Sequence, residues 1–265
     1  MTAERMSAAT KHPRYTLEED DLSIVYPDSD GEPMAEDDAQ LTTMIYAISS
    51  LRVWFDHRED IYVGGDMLMY YRINDNETRV APDVFAVLGV ASRHQRRNWI
   101  VWREGKAPDF VMEVASGSTW RRDMREKRDI YAEMEVTEYW RFDPSGSYFS
   151  PPLIGERLVD GEYRQTTLET DGDGVLRGHS EALGLDICAL PDGNLRLYDP
   201  ESRQWLQTHL EDRSERLMAE AARQEAEAAR QEAEAARQES EAARIAAEEE
   251  NRRLREQLRE LQSGQ

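Results

Sequence analysis

From Gln204 to Ser263 the chain contains neither proline nor glycine, and within that stretch the block AARQEAE begins at Ala221, repeats at Ala228 and returns as AARQESE at Ala235. Proline and glycine are the residues that break helices, and Ala, Glu, Gln and Arg are strong helix formers. A period of seven on this composition therefore predicts one long helix over 204–263. Glu227 with Arg230, Glu234 with Arg237 and Glu241 with Arg244 fall at i,i+3, where they pair along an exposed face. Ala222, Ala226, Ala229, Ala233 and Ala236 line a seam that Leu254, Leu258 and Leu261 continue with larger side chains, the pattern of a coiled coil. Each alanine buries only about one methyl, roughly 0.8 kcal/mol, so self-association into a homo-oligomer is expected chiefly through the leucine end. A lone charged helix is the alternative.

The rest of the chain reads as an α/β domain over 16–203, preceded by a disordered N-terminus over 1–15. The turn signal Asp30-Gly31-Glu32-Pro33 precedes a helix from about Glu36 to Phe55, in which Leu41, Met44, Ile45, Ile48, Leu51 and Phe55 recur at spacings of three and four. Strand-like runs follow at Ile61 to Val63, Met67 to Ile73, Val84 to Val90 and Phe110 to Val114. A helix over Arg121 to Met134 and a strand over Glu138 to Phe142 complete the order of a layered α/β core. From about 150 the turns Asp160-Gly161, Asp171-Gly172, Asp173-Gly174 and Asp192-Gly193 punctuate a β-rich extension. About 50 residues without a disulfide or metal make a marginal independent domain, so the extension is expected to pack on the same core, with a two-domain reading open.

No segment reaches the roughly 18 apolar residues of a membrane-spanning helix. The N-terminus MTAERMSAATKHPRY lacks the apolar stretch of a secretory signal, which makes the cytoplasm the expected location. Cys188 is the only cysteine, which excludes an intrachain disulfide and a cysteine-rich zinc site. The net charge of -21 opposes broad attraction to a phosphate backbone. That charge is uneven, with ten acidic and no basic residues between Glu18 and Asp38. Arg93, Arg96 and Arg97 on one side, and Arg121, Arg122 and Arg125 on the other, are candidate phosphate contacts flanking the chemistry-bearing stretch between them.

In that stretch Pro82-Asp83 precedes one apolar strand, and Glu113 lies near the close of another, PDFVMEV. Magnesium takes oxygen ligands and usually only one or two protein carboxylates, a minimum that Asp83 and Glu113 supply. Phosphodiester cleavage has a very high uncatalysed barrier, so Lewis-acid help and a nearby lysine are the expected contributors. The lysine of a Glu-x-Lys element is missing, since Ala115 stands in its place. Lys127 is the nearest replacement, spaced by four from Asp123 and from Tyr131 along one helical face; an Asp123 to Lys127 surface ion pair is the bland alternative. Asp109 shares side-chain parity with Glu113 on the same strand and is given a secondary role.

The run PDFVMEVASGSTWRRDMREKRDIYAEMEVTEYWRFDP, with APDVFAVLGV upstream, resembles the Uma-two family, a bacterial branch of the PD-(D/E)XK nuclease superfamily. Pro82-Asp83, Pro108-Asp109, Glu113, Ser116, Ser118-Thr119, Asp123, Lys127, Tyr131, Glu138-Tyr139-Trp140 and Asp143 occur in its order, and DGEPMAEDD and LRLYDP are similar too. Gly117, where proline is common, and Glu135, where glycine is usual, depart from it. The resemblance covers about residues 20–210. It implies a restriction-endonuclease-like core, Mg2+ or Mn2+ at Asp83 and Glu113, a migrated lysine at Lys127, and hydrolysis of phosphodiester bonds in nucleic acid, DNA before RNA. The competing class is an inactive scaffold that assembles through its tail.

Overall fold

The computed structural model describes residues 19–29, 37–91 and 94–263. The expectation for residues 1–15 lies outside them. The chain divides into two compact units, with the boundary between His209 and Leu210.

In the first unit α1 (Asp38–Trp54) leads, followed by β1 (Ile61–Gly64), β2 (Met69–Tyr70), β3 (Arg79–Val80), β4 (Val84–Leu88), β5 (Trp99–Ile100) and a single turn, α2 (Val101–Glu104). Then come β6 (Phe110–Val114), α3 (Trp120–Met124), α4 (Glu126–Glu133) and β7 (Glu138–Phe142). The β-rich part comprises β8 (Leu153–Val159), β9 (Glu162–Gln165), β10 (Leu168–Thr170), β11 (Leu176–Ser180), β12 (Leu185–Ala189), β13 (Leu195–Asp199) and β14 (Gln204–Trp205). The long helix α5 (His209–Ser263) forms the second unit.

The main sheet runs β1-β4-β6-β7-β8-β9, and its one parallel pair is β6 with β7. Its strands alternate sides, so each face carries its own set of side chains. Phe110, Met112 and Val114 of β6 look to one side, where they join Met44, Ala47 and Leu51 of α1 and Leu185, Ile187 and Leu197 of the five-stranded sheet β10-β11-β12-β13-β14 in one core. Val111 looks to the other side, with Phe85, Val87 and Tyr139, against Tyr131 and Met134. The extension therefore packs on the same core, and its first two strands, β8 and β9, extend the main sheet itself. A small sheet β3-β2-β5 packs with the second core through Met69, Val80 and Trp99.

Asp37 starts α1 by accepting the amide of Gln40 at 2.8 Å, with acidic Asp38 in the first turn and basic Arg52 in the last. The expected apolar stripe is partly displaced: Ile45 is 55% exposed, whereas Tyr46 and Ser50 are buried. The cause is the five-stranded sheet. Tyr46 donates its hydroxyl to Leu206 O and accepts from Leu197 N, and Ser50 donates to Gln207 O, so this face needs polar side chains. Three further boundaries differ from the sequence reading. The run from Met67 to Ile73 shrinks to two paired residues. The helix over 121–134 is broken at Arg125, whose backbone (φ -129, ψ -71) leaves the helical region. Residues 204–208 are not helical, because Trp205 pairs opposite Tyr198 on β13, ring against ring at 5.1 Å, and Leu206 is buried.

α5 is exposed along its described side chains, with Leu217, Met218 and Ile245 among the uncovered apolar groups. Of the expected pairs along it, Glu241 and Arg244 close at 2.7 Å. The side chains of Leu254, Leu258 and Leu261 lie outside the described residues. No described helix is long and apolar enough to cross a membrane.

The two sheets meet over Trp140, fully buried on β7. A Cβ placed on Gly155 would lie 2.6 Å from its ring, and one on Gly178 would lie 2.9 Å from it and 2.4 Å from Leu168. Both positions hold glycine because the indole fills the space a methyl needs. Gly155→Ala is expected to destabilise the first unit by about 1–3 kcal/mol through overpacking, read as a lower denaturation midpoint with an unchanged slope.

Candidate active site

The antiparallel register of β4 and β6 sets Val84 against Met112, so one step outward Asp83 stands opposite Glu113. This is why two carboxylates separated by thirty positions meet. Asp83 Oδ2 accepts the amide of Val114 at 2.7 Å, which fixes it to the neighbouring strand. Glu113 is 1% exposed and projects from the face opposite Met112 and Val114, toward α3 and α4. There Lys127 Nζ donates to Glu113 Oε2 at 2.7 Å and stands 3.0 Å from Asp123 Oδ1, and the Tyr131 hydroxyl donates to Glu113 Oε1. Asp123 is held from behind, its backbone carbonyl accepting the Tyr139 hydroxyl at 2.7 Å. Lys127 therefore stands beside Glu113 although it comes from a helix and not from β6.

Three carboxylates thus share one buried ammonium. Burial pushes Glu113 up to about 7, offset by Lys127 and reinforced by the charge of Asp83. Burial likewise raises Asp83 to about 6, against the pull of Lys127 and the Val114 amide. Asp123 rises to about 6 through burial and the charge of Glu113, again offset by Lys127. For Lys127 burial acts the other way, and the charges of Glu113, Asp123 and Asp83 overturn it, holding the ammonium above its ordinary range. Burial and the Glu113 charge raise Tyr131, which keeps its proton and donates it.

Sequence reasoning left a surface ion pair of Asp123 with Lys127 as the alternative, yet Asp123 is 1% exposed and pairs with the Lys127 ammonium at 3.0 Å inside the fold. The signal was present in the four-residue spacing of Asp123, Lys127 and Tyr131. What it lacked was the side that the sheet would cover. Asp109 sits at the other end of β6, about 13 Å along an extended strand from Glu113. Its carboxylate accepts Leu88 N at 2.7 Å and Lys106 Nζ at 2.9 Å, so it fastens β6 to β4 rather than joining the cluster.

The arginines also divide. Arg93 lies outside the described residues. Arg96, 5% exposed, pairs with Glu104 at 2.8 Å and stacks on Tyr62 and Trp99, so its charge serves the fold. Arg97 is exposed and pairs with Asp28. Arg121 lies over the Trp120 ring at 4.4 Å, Arg122 pairs with Glu126 at 3.2 Å, and Arg125 is exposed at the helix break. The last three surround the segment that carries Asp123 and Lys127.

The donor set suits a hard divalent cation: Asp83 and Glu113 are adjacent oxygen donors, and with Asp123 three carboxylates stand around one ammonium. Among the described residues no three acidic, histidine or cysteine side chains stand close enough to ligate one ion. A site here would rest on the pair, with Asp123 outside it.

The raised carboxylates set a pH dependence. A folded value above the unfolded one means the native state binds more protons between about pH 4 and 7, so these groups withdraw stability as pH rises through that window. Wild type should therefore lose thermal stability relative to Glu113→Gln between pH 4 and 7 in chelator. A constant difference in melting temperature would show that Glu113 titrates normally.

No curated protein matches the chain. A solved structure described as a putative nuclease belonging to DUF820, from Anabaena variabilis ATCC 29413, aligns with a TM-score of 0.39 at 11% identity, covering 58% of this chain and 84% of that one. A likeness at that level carries no weight for the site. The family described as Uma2, putative restriction endonuclease, matches residues 12–188, a span holding Asp83, Glu113, Asp123, Lys127 and Tyr131. The chain belongs to the Uma2 family.

Proposed function

We propose that the chain is a nuclease dependent on Mg2+ or Mn2+ that hydrolyses phosphodiester bonds in DNA, on a restriction-endonuclease-like core. The observation that carries this reading is the convergence of Asp83 and Glu113 at the mouth of one β4–β6 register with an ammonium 2.7 Å away. A divalent ion bound there supplies Lewis-acid charge to a phosphoryl oxygen. Asp83 and Glu113 hold it, and the Val114 amide and Tyr131 hydroxyl keep their carboxylates aimed. Lys127 stays protonated and offers three donors to charge that develops on the phosphoryl group.

Arg121 and Arg122 on α3 and Arg125 at the break before α4 are exposed, and they are assigned the phosphate contacts that position the strand. They offset locally a net charge of -21 that repels nucleic acid at a distance. α5, about 80 Å long at 1.5 Å per residue, is assigned to self-association.

Plasmid cleavage in Mg2+, in Mn2+ and in chelator tests the central reading. Asp83→Ala and Glu113→Ala should abolish nicking, and Lys127→Ala should lower its rate by roughly 10²–10³-fold. Wild type inert toward DNA and RNA in both metals would point to a scaffold. Charge reversal at Arg121 and Arg125 should weaken DNA binding and flatten its dependence on salt; an unchanged salt slope would remove them from the interface. Truncation after Thr208, which spares β14, should lower the mass measured by light scattering, and an unchanged mass would leave α5 a spacer.

A further inference from the structure

Both carboxylate oxygens of Glu113 are occupied, Oε2 by the Lys127 ammonium at 2.7 Å and Oε1 by the Tyr131 hydroxyl. A divalent cation at Glu113 therefore meets a resident cation of like sign. A metal ion and an ammonium on the same carboxylate oxygen repel each other, so binding of a metal ion at Glu113 favours a shift of Lys127 away from Oε2. A buried ammonium cannot withdraw into apolar surroundings, because it needs acceptors wherever it rests.

Asp123 provides them. It is 1% exposed, and one oxygen already stands 3.0 Å from Lys127 Nζ. The Thr119 and Ser116 hydroxyls lie 2.9 Å apart beside it. A carboxylate offers about four lone-pair sites, so Asp123 keeps acceptor capacity in reserve beyond its present contact with Lys127. Asp123 is not grouped with Asp83 and Glu113 as a third ligand for one ion. Its reserve faces the lysine.

We propose that Asp123 is a positioning residue that takes over the Lys127 ammonium when Glu113 binds a divalent cation, so that the lysine stays beside the site instead of competing for it. This rests on the metal-dependent reading above and adds to it the path by which the ammonium makes room. Without Asp123, Lys127 has only Glu113 to rest on and holds the metal site closed.

The test is a double-mutant cycle read by calorimetric titration of the full chain with Mn2+, independent of cleavage. Asp123→Asn should weaken Mn2+ binding about tenfold. Lys127→Met should tighten it, and adding Asp123→Asn to Lys127→Met should change nothing further, because the competitor is gone. Asp123→Glu, which keeps the charge, should stay within about threefold of wild type. If Asp123→Asn does not fold, Asp123→Ser carries the same cycle, with thermal unfolding of each variant as the check. Equal weakening with and without Lys127 would make Asp123 a metal ligand and overturn the proposal. No weakening in either background would reduce it to a static ion pair and overturn it equally. Wild type that takes up no Mn2+ would overturn the metal-dependent reading together with this one, whereas Mn2+ uptake with a flat cycle would overturn this one alone.

Discussion

The ammonium of Lys127, held between Glu113 and Asp123, is the interaction on which the polar side of the main sheet depends. A sheet face covered by helices is ordinarily apolar, because burying a carboxylate without a partner costs several kcal/mol. Here Glu113 sits near the end of β6 with Asp83 opposite and Asp123 close by across Lys127. One cation answers three potential anions, and removing a partner from such a buried pair costs roughly 3–5 kcal/mol. The strain is visible in the carboxylates themselves, each pushed toward its neutral form by burial.

The same face carries a second ionic group one strand over. Parallel pairing sets Glu113 beside Arg141, which is 2% exposed and pairs with Glu156 on β8, itself held by Arg128 of α4 at 3.1 Å. Helix α4 therefore docks by charge as well as through Tyr131. The opposite face is apolar and takes α1 and the five-stranded sheet, fastened by Glu138, which accepts from Trp140 Nε1, Ser180 Oγ and Ala182 N. The apolar side thus supplies cohesion, and the polar side gathers the ionisable groups.

Glu113 lies next to the end of β6, beside the end of its parallel neighbour β7. Two loops leave those ends. Residues 115–119 turn through the Ser116 and Thr119 hydroxyls, and residues 143–149 are gathered around Asp143, whose carboxylate accepts Ser145 N, Tyr148 N and Phe149 N. Rigid strand ends carry the carboxylates, and a broken helix carries the lysine.

Much of this was written locally in the chain. The seven-residue repeat determined α5, since helix propensity and the absence of breakers act within a few turns. The short apolar runs determined β4, β6 and β7, and the pairing of Asp83 with Glu113 followed once those strands were adjacent. Where partners were distant in sequence, local pattern failed. Tyr46 and Ser50 are buried on α1 because β13 and the segment after β14 supply their partners, some 150 positions away. The break at Arg125 has no glycine or proline to announce it. Asp123 reads in sequence as one half of a surface ion pair, and Arg96 as a free cation. Only the tertiary structure decided that the first is buried beside Lys127 and the second is enclosed by Tyr62, Trp99 and Glu104, because burial is set by what packs on top of a residue.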